Sequence, residues 1–251
     1  MKTSNSKVRL DKLLGSLGYC ARREVAALIK DGIVTHTENL PLKPDTKVLH
    51  EEIRFKGEPL DPPSGMVILM YKPAGLVCSH DEGEGRLVYD LLPPRWRMRD
   101  PKISTIGRLD KDTSGLLLLT DDGALLHRLT SPKHKVPKVY EATLDRPLNG
   151  DEAAIFASGT LMLHGEKTPC LPSKLTILDD THVALEITEG RYHQVRRMFA
   201  AVGNHVTALH RSHFGDLRLG DLKEGEYQIL TQEEIPNESP MRLQPIRNQH
   251  L

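Results

Sequence analysis

Gly107-Arg-Leu-Asp-Lys-Asp-Thr-Ser-Gly115, running straight into Leu116-Leu-Leu-Leu-Thr120, is the stretch on which the fold turns. A short, unbroken apolar run bounded by a Gly-flanked turn reads as a continuous apolar strand held by the core. The turn before it holds Arg108, Asp110, Asp112, Thr113 and Ser114, so its polar groups sit on a loop anchored by rigid core. Loops mounted in this way often bear active sites. Asp110 and Asp112 fit equally well as turn-forming carboxylates that bond local backbone, or as ligands of a Mg²⁺ ion.

Working outward, Val67–Tyr71, Val139–Leu144, Leu175–Leu178 and Val183–Ile187 read as further strands, and 123–130, 150–158 and 192–202 as helices. Strands dominate without a regular βαβ alternation, which argues for a mixed α+β domain and against a doubly wound parallel sheet. Towards the N-terminus the Pro/Gly-rich run Gly57–Gly65 reads as the end of a first module. The expected division is a small α+β module over 1–60, a linker at 61–65, a larger domain over 66–235 and a polar, disordered tail over 236–251. Within the first module helical spacing joins Leu10, Leu13, Leu14 and Leu17, a second helix fits Arg22–Lys30, and short strands fit 33–35, 47–49 and 53–55.

The 251 residues carry 34 Lys+Arg against 34 Asp+Glu, so a nucleic-acid partner is not advertised by net charge. The charge is unevenly divided: residues 1–60 hold 11 basic and 8 acidic side chains. No apolar run reaches the roughly 20 residues that cross a bilayer, and the N-terminus lacks a leader-like apolar stretch, so the expected location is the cytoplasm. Cys20, Cys78 and Cys170 form no CxxC and the 12 histidines no HExxH, so neither a metal nor a cofactor is expected.

Two acid-free strips stand out. His127–Tyr140 brings Arg128, Lys133, Lys135 and Lys138 beside Tyr140, cations for phosphate and a ring for a base. Arg191–His213 holds four Arg and four His. There Val195, Met198, Phe199 and Val202 share a helical face, with Arg196 on its flank, able to reach a buried carboxylate, and Arg197 nearly opposite, facing solvent or phosphate. Either strip could also be an ordinary solvated face.

Taken in order, these blocks resemble the pseudouridine synthases of the RsuA branch. The catalytic-loop pattern GRLDxDTxGLLLLTDDG is matched from Gly107 to Gly123, K-x-Y by Lys138–Tyr140, EGRYHQV(R/K)RMFAAVGNHV from Glu189 to Val206, and an early Lys-Pro by Lys72-Pro73. The N-terminal segment is similar to the S4-type RNA-binding module, through Arg9–Leu14 and Arg22–Val34. The resemblance implies a mixed, mainly antiparallel sheet with a central catalytic cleft. It implies Asp110 as the catalytic aspartate, Tyr140 as the ring against the flipped base, Arg196 as the cation paired with Asp110, and Arg108 as the side chain that fills the vacated stack. Asp112 fits the pattern without an equivalent role. RNA contacts are expected further from Arg9, Lys12, Arg22, Arg23, Lys72, Lys138, Arg191 and Arg197. The implied activity is conversion of uridine to pseudouridine in 16S rRNA or a small-subunit assembly intermediate, with uridine 516 the expected target. A 23S rRNA uridine and a non-catalytic rRNA-binding role are the alternatives. A monomer without an obligate protein partner is expected because no heptad or other association surface is evident. One departure bears on the fold: Ala21 stands where a capping Ser is usual, and loss of that cap costs roughly 1 kcal/mol.

Overall fold

Leu116–Leu119 are wholly buried, and they form the middle of the strand around which the larger part of the molecule is built. The computed structural model describes residues 6–231 and 233–235. The expected tail, 236–251, lies outside the described residues.

The chain begins with β1 (Val8–Arg9), α1 (Leu10–Ser16), a 3-10 turn at Arg22–Glu24, α2 (Val25–Lys30), β2 (Val34–His36), β3 (Lys47–Val48), β4 (Ile53–Phe55) and β5 (Glu58–Pro59). β1 pairs with β3, and β2, β4 and β5 form a separate three-stranded sheet. The leucines at 10, 13, 14 and 17 join Val25, Val34, Val48 and Ile53 in one small core. Ala21 cannot cap by side chain, yet half of the capping arrangement survives. The Glu24 carboxylate accepts the Ala21 N–H at 2.8 Å, and the Ala21 carbonyl takes the Glu24 N–H at 2.9 Å.

The remaining strands are β6 (Val67–Lys72), β7 (Ser104–Thr105), β8 (Thr113–Thr120), β9 (Lys138–Leu144), β10 (Lys174–Ile177), β11 (His182–Ile187), β12 (Val206–Phe214), β13 (Leu217–Arg218) and β14 (Tyr227–Leu230). With α3 (Gly123–Thr130), α4 (Glu152–Ser158) and α5 (Gln194–Ala201) they complete the fold. All nine strands share one sheet in the spatial order β10-β11-β9-β12-β8-β6-β14, with β7 beside β8 and β13 beside β12. β8 and β12 run parallel and every other pair is antiparallel. The sheet is thus mixed and mainly antiparallel.

Both faces of β8 are covered. Leu117 and Leu119 enter one cluster with Ile68, Met70 and Trp96, while Leu116 and Leu118 enter another with Val67, Leu69 and Leu125 of α3. At roughly 1.5–3 kcal/mol for each fully buried leucine, this strand is a large part of what holds the domain together. α5 lays Val195, Met198 and Phe199 on β9, β11 and β12 in a third cluster.

β12 and β14 were not expected from the sequence, and β12 is central. Val-Thr-Ala-Leu-His-Arg-Ser-His-Phe, residues 206–214, lacks an apolar run because several of its polar side chains are only partly covered. Its register against β8 brings Arg211 opposite Gly115, where φ is +115° and an added Cβ would fall inside the Arg211 backbone.

Beyond Thr120 the two aspartates diverge. Asp122 caps α3, accepting from the N–H groups of Ala124 (2.9 Å) and Leu125 (3.0 Å). Asp121 is buried against Arg99 at 2.9 Å and also accepts the Gly65 N–H at 2.7 Å. Arg99 binds the Pro62 carbonyl at 3.0 Å, Arg95 pairs with Asp61 at 2.7 Å, and the Tyr19 hydroxyl accepts the Asp61 N–H at 2.8 Å. The stretch read as a linker is therefore tied on both sides.

Candidate active site

The turn 107–112 sits at the open end of β8. Gly107 takes φ +72°, and the Thr113 N–H closes onto the Asp110 carbonyl at 3.1 Å. From below, the Lys72 ammonium donates to the carbonyls of Thr113 (2.7 Å), Pro73 (3.0 Å) and Lys111 (3.3 Å). Lys72 is completely buried, so the expected RNA contact there is corrected: this lysine pins the turn from inside. Burial pushes its pKa down, against the opposing pull of Cys78, Asp112 and Asp110.

The expected pairing of Asp110 with Arg196 is also corrected. Arg196 Nη2 meets Asp112 Oδ2 at 2.7 Å, while its Nη1 donates to the Val206 carbonyl at 2.8 Å. That carbonyl, at the start of β12, fixes one arm of the fork and leaves the other for the more exposed carboxylate. Asp110 instead faces His193, with Nε2 3.4 Å from Oδ1. His193 takes a left-handed conformation, φ +47°, immediately before α5, which is how its ring meets the turn. Its role was not legible because a residue preceding a helix has no periodicity to betray its direction.

Tyr140 lies on β9 opposite Leu185 of β11 and Arg211 of β12. Arg211 is as buried as Lys72. Its Nε donates to the Leu116 carbonyl at 2.8 Å, Nη1 approaches the Tyr140 hydroxyl at 3.5 Å, and the guanidinium lies 6.0 Å from the Tyr140 ring centre. Among the described residues its Nη2 has no hydrogen-bond partner, nor has the buried Thr113 hydroxyl. The sequence offered one hint of Arg211: it is one of the four arginines of an acid-free strip.

The other expected RNA contacts divide sharply. Arg108 is exposed on the turn, and Arg9, Lys12, Arg22 and Arg23 are exposed on the N-terminal module, Arg9 being paired with Asp11 at 2.8 Å. Lys138 donates to the Val136 carbonyl at 3.0 Å and lies over the Phe214 ring, and burial lowers its pKa to about 8. Arg191 and Arg197, expected to meet phosphate, are corrected to braces. Arg191 holds Glu189 (3.0 Å) and the carbonyls of Thr168 (2.7 Å) and Pro169 (2.5 Å), while Arg197 holds Glu166 (2.9 Å) and the His164 carbonyl (2.7 Å). Glu189 in turn accepts from Gln194 at 2.7 Å and from the Leu171 N–H at 2.9 Å. The Glu189–Arg197 motif therefore latches the 164–171 loop onto the start of α5.

Comparison with known proteins places the chain in a family. A family model described as RNA pseudouridylate synthase matches residues 66–201. The chain is 44% identical over 231 residues to the ribosomal small subunit pseudouridine synthase A of Pasteurella multocida, covering 91% of this chain and 98% of the relative. It is 42% identical over 233 residues to the protein of the same name from Escherichia coli K12, with the same coverage. A crystal structure of a pseudouridylate synthase superposes with a TM-score of 0.64 at 42% identity, over 91% of this chain and 98% of that one.

Proposed function

Because the chain belongs to the RNA pseudouridylate synthase family, we propose that it isomerises a uridine of small-subunit rRNA, uridine 516 of 16S rRNA, to pseudouridine. The observation that carries the catalytic assignment is Asp110. Its carboxylate stands at the head of a rigid strand, 29% exposed, beside His193 and above the buried ammonium of Lys72. It is neither sealed in the core nor held by an arginine fork, so it is free to meet a ribose.

The reaction breaks the N1–C1′ bond, turns the uracil and forms C5–C1′. C5 loses a proton and N1 gains one, so nothing is oxidised or reduced and no cofactor or metal enters the balance. Asp110 acts at the sugar, where its unengaged oxygen faces the open side of the turn. The uridine must leave its stack to reach this carboxylate, which costs a few kcal/mol. Arg108, exposed on the same turn, fills the space it leaves, and Tyr140 offers the extruded ring a stacking face. Arg196 acts through Asp112 and the Val206 carbonyl, fixing the turn against β12.

In this reading residues 1–60 form the S4-type module, presenting Lys12, Arg22 and Arg23 to RNA, and 66–235 form the catalytic domain of a cytoplasmic monomer. None of the described helices is long and apolar enough to cross a membrane. Tritium release from 5-³H-uridine-labelled small-subunit rRNA tests the activity directly. Mapping pseudouridines in both rRNAs of a strain lacking the protein tests the target: the mark at 516 should vanish, and loss of a large-subunit mark instead would overturn the assignment.

A further inference from the structure

Tyr192 is 77% exposed, more than any other large apolar or aromatic side chain among the described residues. Its ring is not loose. It stacks on His193 with centroids 3.8 Å apart and planes 19° from parallel, and His193 in turn faces Asp110 at 3.4 Å. The backbone beneath is braced as well: Arg197 Nη1 donates to the Tyr192 carbonyl at 3.0 Å, and the Arg191 N–H donates to Gln194 Oε1 at 2.9 Å. His193 is held at φ +47°, a conformation that an ordinary residue adopts only under constraint. A flat ring thus stands in water on a turn whose every support is fixed, one residue from the group that touches the catalytic carboxylate.

Folding does not account for that exposure, since one face of the ring covers only a histidine. A nucleobase does account for it, because base–aromatic stacking needs an open π-face, a rigid mount and cations nearby for the phosphates. The exposed Arg108 on the adjoining turn supplies such a cation.

We propose that Tyr192 is the stacking platform for the nucleotide next to the flipped uridine, its ring backed by His193 beside Asp110. The proposal rests on the reading of Asp110 as the catalytic centre. Its chemical class of ligand is an unpaired nucleobase of a loop or bulge, and it makes Tyr192 a binding residue that selects how the strand enters the cleft.

The test uses the full chain and an RNA hairpin spanning uridine 516, with 2-aminopurine placed in turn on each side of the target. In the wild type and in Tyr192→Phe, one of the two positions should be quenched on binding. In Tyr192→Leu that quench should disappear, and KM for pseudouridine formation should rise about tenfold with kcat within twofold. Equal quenching in wild type and Tyr192→Leu, or none in either, overturns the proposal, as does Tyr192→Phe behaving like Tyr192→Leu. Pseudouridine formation on the same RNA is scored separately. Quenching that depends on Tyr192 without any product leaves the platform standing and removes the proposed activity.

Discussion

The two ends of β8 carry the same kind of chemistry to opposite effect. At its C-terminal end Asp121 and Arg99 form an ion pair whose side chains are 1% and 0% exposed, joined by the Gly65 N–H and the Pro62 carbonyl. At its N-terminal end Asp110 and His193 stand 29% and 39% exposed and 3.4 Å apart, with Arg196 turned to Asp112. A carboxylate whose oxygens are occupied and dry is a fastener, because separating it from its partner strands a charge in the core. A carboxylate beside a half-open histidine retains lone pairs for a substrate. Burial, more than residue type, separates the fastened carboxylate from the accessible one along this strand.

That contrast can be broken most severely at Asp110. Asp110→Asn is expected to lower pseudouridine formation at least about a thousandfold while melting within a few degrees of wild type, read by tritium release and calorimetry. Asp121→Ala should do the reverse. Leaving Arg99 buried without its partner costs roughly 3–5 kcal/mol, a fall in Tm of roughly 10 °C, with activity per folded molecule retained at low temperature. Arg196→Met should reduce turnover about tenfold or more, since the turn loses its anchor on the Val206 carbonyl. Asp112→Asn should change it less than about threefold, because the amide oxygen can still accept from the Arg196 guanidinium and keep the turn tied to β12, while the charge lost from a 67% exposed pair contributes little. Comparable losses in the two variants would make the Arg196–Asp112 pair itself the functional unit.

A smaller effect concerns Lys138, whose pKa falls to about 8 from 10.5. Between those values the unfolded chain binds more protons than the folded one, so this group's contribution to stability rises as pH climbs through that window. Below about pH 8 the cost of burying the ammonium is present in full. Lys138→Met should therefore be more stable than wild type at neutral pH, and the difference should shrink from pH 8 to 10.5 in denaturant titrations.

Much of this was legible because the core writes itself in apolar periodicity. The uniform leucines of 116–119 and the stripe Val195, Met198, Phe199 announced β8 and α5, and the turn with Arg108, Asp110 and Asp112 announced the candidate site. β12 stayed hidden because its alternation is masked by histidines, a serine and Arg211, residues placed by the cleft and not by the core. The pairings of the Glu189–Arg197 motif were equally unreadable. Guanidinium groups that neutralise loop carbonyls look in one dimension like groups waiting for phosphate, and Arg191 and Arg197 are distinguished from Arg108 only by the fold-back of residues 164–169.

The parallel seam between β8 and β12 has a consequence in time. Thr113–Gly115 must wait for Leu209–Arg211, nearly a hundred residues later in the chain, before the strand can be covered and Arg211 can reach the Leu116 carbonyl. Contacts of such sequence separation form late, since their loop must close before they repay it. On a ribosome the N-terminal module and its exposed arginines emerge and can fold well before β12 exists. On the proposed function, the nascent chain would present its N-terminal module to RNA before it could modify it, and its chemistry would wait until the last central strand is laid in place.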